Sequence, residues 1–247
     1  MDFYLGADDP YWLGKVDFPL MVARQRLFRE GAHRRPLPTA QVPWVLDSGG
    51  FTQLHKYGRF PFEADQYVSE VLRLSDEVGN LRWAAPMDWM CEAGALKMTG
   101  LTVAEHQKRT VHNFLDLRQR LGSLVIPVLQ GWERDDYLRC ADLYTDEGVD
   151  LHTEATVGLG SICRRNADEQ IIEIVEALDG LRLHAYGVKG RPLRRLAPLL
   201  ASSDSMAWSY RARRGGRAPG GTHRRGTDCR KFATLWRRNL LESLTTG

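Results

Sequence analysis

Short apolar runs alternate with longer segments of helical periodicity along nearly the whole chain. The runs predict strands at Phe3–Gly6, Leu20–Ala23, Val42–Leu46, Arg82–Pro86, Val125–Leu129, Thr153–Leu159, Arg182–Val188 and Ser205–Trp208. Amphipathic spacing predicts helices near Glu63–Val78, Val103–Leu121, Asp135–Glu147, Ala167–Leu178 and Leu193–Leu200. A last helix of roughly Asp228–Leu244 can start at Thr227. Thr102 with Glu105, and Asn166 with Glu169, have the spacing of capping boxes, and Pro192 suits a first helical turn. Strand–helix alternation of this kind requires parallel strands joined by right-handed crossovers. About eight strands fit a closed barrel better than an open sheet. No GxGxxG follows the first strand, which counts against a dinucleotide fold. The expectation is an α/β protein, an irregular TIM-like (β/α)8 barrel formed by residues 1–247 as one domain.

Composition narrows the class. With 43% hydrophobic and 26% charged residues, the 247-residue chain reads as a globular domain large enough for a sizeable core. No apolar run approaches a membrane span, and the first residues lack the pattern of a secretory signal. Cys91, Cys140, Cys163 and Cys229 are scattered without a CxxC pair, so a reducing cytoplasm is expected. The net charge of +3 is unevenly spread. Residues 211–238 hold ten Lys or Arg and one acid, Asp228, leaving the remainder net acidic. A basic patch on such a body suits a polyanion, although a solvated loop of about residues 211–227 has the same composition.

Chemistry on a barrel collects at the C-terminal ends of its strands. Here those ends read Asp47-Ser48-Gly49-Gly50, Met87-Asp88, Gln130-Gly131, Gly158-Leu159-Gly160-Ser161 and Gly187-Val188-Lys189, with Asp204 near the last strand. There is no GxSxG elbow and no His pair at metal-ligand spacing. Two acids facing one bond are the equipment of glycosidic chemistry: one attacks and the other moves a proton. A third acid beside a carboxamide can read a purine edge, because a carboxylate accepts from N–H groups while a carboxamide donates to a carbonyl. Glycines let bare backbone approach a planar ring. Each acid alone is also what a turn or a helix N-cap uses. The set points to a site where no single member does.

On these residues the chain resembles the tRNA-guanine transglycosylase superfamily. It looks most like the compact DNA-acting DpdA branch, the deazapurine-in-DNA transglycosylases of phages and bacterial gene clusters. The matching segments are Leu46-Asp47-Ser48-Gly49-Gly50-Phe51, Pro86-Met87-Asp88-Trp89-Met90-Cys91, Pro127-Val128-Leu129-Gln130-Gly131-Trp132, Val157-Gly158-Leu159-Gly160-Ser161, His184-Ala185-Tyr186-Gly187-Val188-Lys189 and Asp204-Ser205-Met206-Ala207-Trp208-Ser209-Tyr210-Arg211. The resemblance implies an irregular barrel and a base exchange in which a 7-deazaguanine such as preQ0 replaces guanine in DNA. It implies Asp204 as nucleophile, Asp47 as general acid/base and Asp88 on the Watson–Crick edge of the base. Gln130 and the Gly158-Leu159-Gly160 backbone would take its carbonyl side, with Ser48, Gly49, Cys91 and Gly131 completing the pocket. Arg211, Arg213 and Arg214 would grip phosphates.

Relatives acting on tRNA carry a zinc clip of three Cys and one His. Only His223 and Cys229 lie near that position here, and two ligands do not close a tetrahedral site, so no metal or other cofactor is expected. Expected partners are DNA and the small base, with no membrane; a homodimer and accessory modification proteins are compatible additions. The same chemistry on tRNA, a non-catalytic nucleic-acid-binding barrel and a hydrolytic glycosidase are the other readings these residues admit.

Overall fold

The computed structural model describes residues 1–28, 36–163, 168–213 and 229–245. Eight strands form one parallel sheet: β1 (Asp2–Ala7), β2 (Leu20–Ala23), β3 (Trp44–Asp47), β4 (Leu81–Ala84), β5 (Val128–Leu129), β6 (Val157–Leu159), β7 (Leu183–Ala185) and β8 (Ser202–Ser205). Their order is β4-β3-β2-β1-β8-β7-β6-β5. The two edges meet at one parallel bridge, Ala84–Val125, where the Ile126 N–H donates to the Ala84 carbonyl at 3.2 Å. The sheet thus curls into an α/β TIM-like fold with a thin seam between β4 and β5.

Among the described residues ten α-helices accompany the strands: α1 (Arg24–Leu27), α2 (Gly50–Tyr57), α3 (Ala64–Glu77), α4 (Ala93–Thr99), α5 (Val103–Leu121), α6 (Arg134–Asp146), α7 (Asp168–Ala177), α8 (Gly190–Leu196), α9 (Ala207–Arg213) and α10 (Arg230–Thr245). The capping box at α5 forms both of its bonds, Thr102 N–H to Glu105 and Glu105 N–H to Thr102 Oγ1. Asn166, Thr227 and residues 214–228 lie outside the described residues. No described helix is long and apolar enough to cross a membrane.

Two expectations are corrected. The last strand is Ser202–Ser205 rather than Ser205–Trp208, and Trp208 sits on α9 with its indole N–H donating to the Gly6 carbonyl at 2.8 Å. Arg211 and Arg213 belong to the last turn of α9 rather than to a loop.

Alternation along the strands sorts the core into two layers. Tyr4, Met21, Val45, Trp83, Ile126 and Val128 pack together inside the barrel, with Tyr186 against them. Phe3, Leu5, Leu20, Val22, Trp44 and Leu46 belong to the larger core beneath the helices. Parallel neighbours in register share a face, and Tyr4 is in register with Asp204. Asp204 is therefore carried inward by the strand itself. Outside the barrel, Arg24 makes a buried two-pronged ion pair with Glu70 (2.5 and 2.6 Å) and lies over the Phe62 ring. This bond ties α1, directly after β2, to α3.

Candidate active site

The inward layer continues upward by twos. Val45 leads to Asp47, Val128 to Gln130, Gly158 to Gly160, His184 to Tyr186 and Ser202 to Asp204. These upper positions line a cavity of about 580 Å³. Asp88 joins them from the extended segment after β4, and Phe51, Met90 and Ser161 complete much of the wall.

Each acid is held differently. Asp47 Oδ1 accepts from the Gly49 N–H at 3.0 Å. Gly49 has φ +79°, and an added Cβ would lie 2.0 Å from Gln25 Oε1, so this tight turn needs glycine. Burial raises the Asp47 carboxyl to about 7; the Gly49 bond opposes the rise, and Asp88 and Asp204 add to it. Asp88 Oδ1 accepts from Ser48 Oγ at 3.0 Å and Oδ2 from Gln130 Nε2 at 2.6 Å. Burial raises this carboxyl also, against both hydrogen bonds. The chain of bonds continues from Ser161 Oγ to Gln130 Oε1 (2.6 Å) and from Cys91 N–H to Ser161 Oγ (2.8 Å). Gln107 Nε2 fixes the Gln130 carbonyl at 2.8 Å. Asp204 Oδ1 accepts from the Gly187 N–H at 2.8 Å, and His184 Nε2 stands 3.5 Å from the same oxygen.

The sequence-predicted residues fall into two groups. Asp47, Asp88, Gln130, Gly160 and Asp204 line the cavity. Ser48 and Cys91 are fully buried behind it, where Ser48 orients Asp88 and burial raises the Cys91 thiol. Gly158 and Leu159 are buried strand residues, while Gly131 packs against Asp136 and Tyr137 of α6. Gly49 shapes the turn. Arg211 is exposed on α9 beside the cavity-lining Tyr210; the Arg213 side chain, Arg214 and His223 lie outside the described residues. Cys229 is a buried free thiol, and no group of three or more metal-capable side chains occurs among the described residues.

A family model described as DpdA, DeoxyPurine in DNA protein A, matches residues 1–246. The chain belongs to the DpdA family. No curated protein matches it. DpdA membership makes it a transglycosylase of purine modification with DNA as its substrate.

In this DpdA chain the sequence reading passed over Tyr186 and His184, whose aromatic rings look like core. His184 is fully buried, with Nδ1 2.8 Å from Ser202 Oγ. The Tyr186 hydroxyl is buried and has no hydrogen-bond partner among the described residues. Burial, with Asp88, Asp47 and Asp204 nearby, holds its phenol well above the usual range, so it remains a donor. The signal lay in spacing: both occupy inward positions of β7 and its exit.

Gly160 offers a sharp test of this wall. A Cβ there would sit 2.3 Å from Gln130 Nε2 and 2.7 Å from Cδ. Gly160→Ala is expected to push Gln130 off Asp88 and, where the cavity takes an incoming base as proposed below, to raise its KM by about tenfold, the scale of one lost buried hydrogen bond to a charged group. Steady-state exchange with varied base concentration checks this; an unchanged KM would place the base elsewhere.

Proposed function

We propose that the protein exchanges guanine in DNA for a 7-deazaguanine such as preQ0 through a covalent glycosyl-aspartate. The observation that carries this reading is the convergence of Asp47, Asp88 and Asp204 on one cavity, with Asp47 near neutrality and Asp88 clamped by Ser48 and Gln130.

The target nucleotide leaves its stack at a cost of a few kcal/mol and enters the cavity. Asp88 accepts from the N–H groups of the guanine edge, and Gln130 with the Gly160 region meets its carbonyl. Protonated Asp47 gives its proton to the departing base as the C1′–N9 bond breaks. The Asp204 carboxylate attacks C1′ and forms a glycosyl ester. Guanine leaves and the 7-deazaguanine takes its place. Its N9 proton passes to the Asp47 carboxylate, N9 bonds to C1′ and the ester bond to Asp204 breaks. Two displacements retain the anomeric configuration. A carboxyl near 7 suits both halves, because acid and base forms are each populated around neutral pH. Tyr186 is placed to donate to the sugar or the departing base.

The test is incubation with duplex DNA and labelled preQ0, followed by digestion to nucleosides and mass spectrometry. A deazaguanine deoxynucleoside is expected, with ping-pong kinetics. Label entering tRNA alone would move the activity to RNA. Release of free guanine without an acceptor would make the enzyme a hydrolase.

A further inference from the structure

A second groove of about 610 Å³ lies next to the cavity, between the start of α3 and the middle turns of α5. Arg59, Lys108 and Arg109 supply its cationic face, with the His112 ring beside them. Arg59, Lys108 and His112 are exposed and make no ion pair among the described residues. Arg109 lies over the Trp89 ring at 4.5 Å, and Phe60 meets the same ring edge-on at 6.1 Å. Two acids border the groove. Asp116 shares Arg120 with Asp65, each at 2.5 Å, so Glu63 and part of the Asp116 charge offset some but not all of the Arg59, Lys108 and Arg109 charge.

The groove and the cavity share a wall. Along the extended segment after β4, Met87 and Trp89 border the groove, whereas Asp88 and Met90 border the cavity. Phe60 closes the partition, with its ring edge 3.5 Å from where a Cβ on Gly50 would stand. In a barrel of eight strands in cyclic order, the elements after β3 and β4 face those after β7 and β8. Lys189 and Arg211 stand on that opposite side, Lys189 in the cavity wall and Arg211 next to Tyr210. Cations therefore flank the cavity on both sides.

Resting on the proposed base exchange, we propose that the Arg59–Lys108–Arg109–His112 groove binds phosphodiesters of the DNA strand on one side of the extruded nucleotide. The strand lies across the cavity mouth, with phosphates on one side in this groove and those on the other near Lys189 and Arg211. The aromatic floor of Trp89 and Phe60 lowers the local dielectric under Arg109 and strengthens its pull on an anion.

The experiment uses Arg59→Gln/Lys108→Gln, two exposed side chains outside the cavity. Binding of a fluorescent DNA duplex is followed by anisotropy across a salt series, alongside base exchange. Two lost phosphate contacts are expected to lower the slope of log affinity against log salt by about 1.8 and to weaken binding about tenfold or more at moderate salt. The kcat at saturating DNA and the thermal unfolding profile are expected to stay at wild-type values, and Lys108→Glu to bind more weakly still. Wild-type affinity and slope in the variants, in an enzyme that does exchange bases in DNA, would overturn the groove while leaving the proposed reaction intact. If the wild-type protein neither binds nor modifies DNA, both fall together.

Discussion

Asp204→Asn is expected to lower base exchange on the order of 10⁴-fold, the scale on which removal of a covalent nucleophile acts. DNA affinity should change little. The substitution preserves shape, and an Asn Oδ1 can still accept from the Gly187 N–H that holds Asp204 at 2.8 Å. What disappears is the negative oxygen that would attack C1′ in the proposed exchange. Wild-type protein incubated with DNA and no incoming base is expected to give a denaturation-resistant protein–DNA adduct; the variant is not. Exchange within tenfold of wild type would remove Asp204 from the role of nucleophile.

Asp47→Asn should affect activity and stability in opposite directions. Loss of a general acid/base lowers exchange by about 10²–10⁴-fold. For stability, the carboxyl sits near 7 in the fold against about 3.9 in an unfolded chain. The folded protein thus holds the proton more tightly than the unfolded one. Its stabilising contribution is complete below about pH 4 and is lost as pH rises through 7. About three pK units set an upper bound of about 4 kcal/mol on that loss. Asp47 is partly open to the cavity, so about 1–2 kcal/mol is the expected effect after solvent screening. The Asn variant escapes the loss, and its melting temperature relative to wild type is expected to climb between pH 5 and pH 8. Parallel curves for the two proteins across that range would mean that Asp47 is ionised throughout.

The sequence exposed those parts of the site in which hydrophobicity and chemistry change sharply. Trp44-Val45-Leu46 is an apolar strand, and Asp47-Ser48-Gly49 marks its end without ambiguity. Val128-Leu129 before Gln130 behaves in the same way. β8 does not, because Ser202-Ser203-Asp204-Ser205 carries no apolar residue and has the composition of a turn. It is a fully buried strand because its hydroxyls find partners: Ser203 Oγ donates to the Ala185 and Val188 carbonyls, and Ser202 Oγ contacts His184. Those partners lie on β7 and in the segment just after it, 15 to 18 residues away in sequence, and local pattern does not register them. The short helices α2 and α4 escaped for a related reason. Their Gly50 and Gly94 weaken helical propensity, and position in the barrel supplies what propensity lacks. The division between residues that face the cavity and residues that brace them, such as Ser48 and Cys91, likewise depends on which side of a turn each side chain falls.

β8 pairs with β1 on one side and β7 on the other. Its Asp204 is thus the last of the three acids to leave the ribosome and the one whose strand joins the first part of the chain to the later part. A nascent chain that has made β1 to β7 already carries Asp88 and Gln130 but lacks Asp204, the nucleophile of the proposed exchange. Synthesis is vectorial at about 5–20 residues per second, so the proposed base-reading pair leaves the ribosome seconds before the proposed nucleophile. Chains released before β8 would lack the carboxylate that the proposed exchange needs.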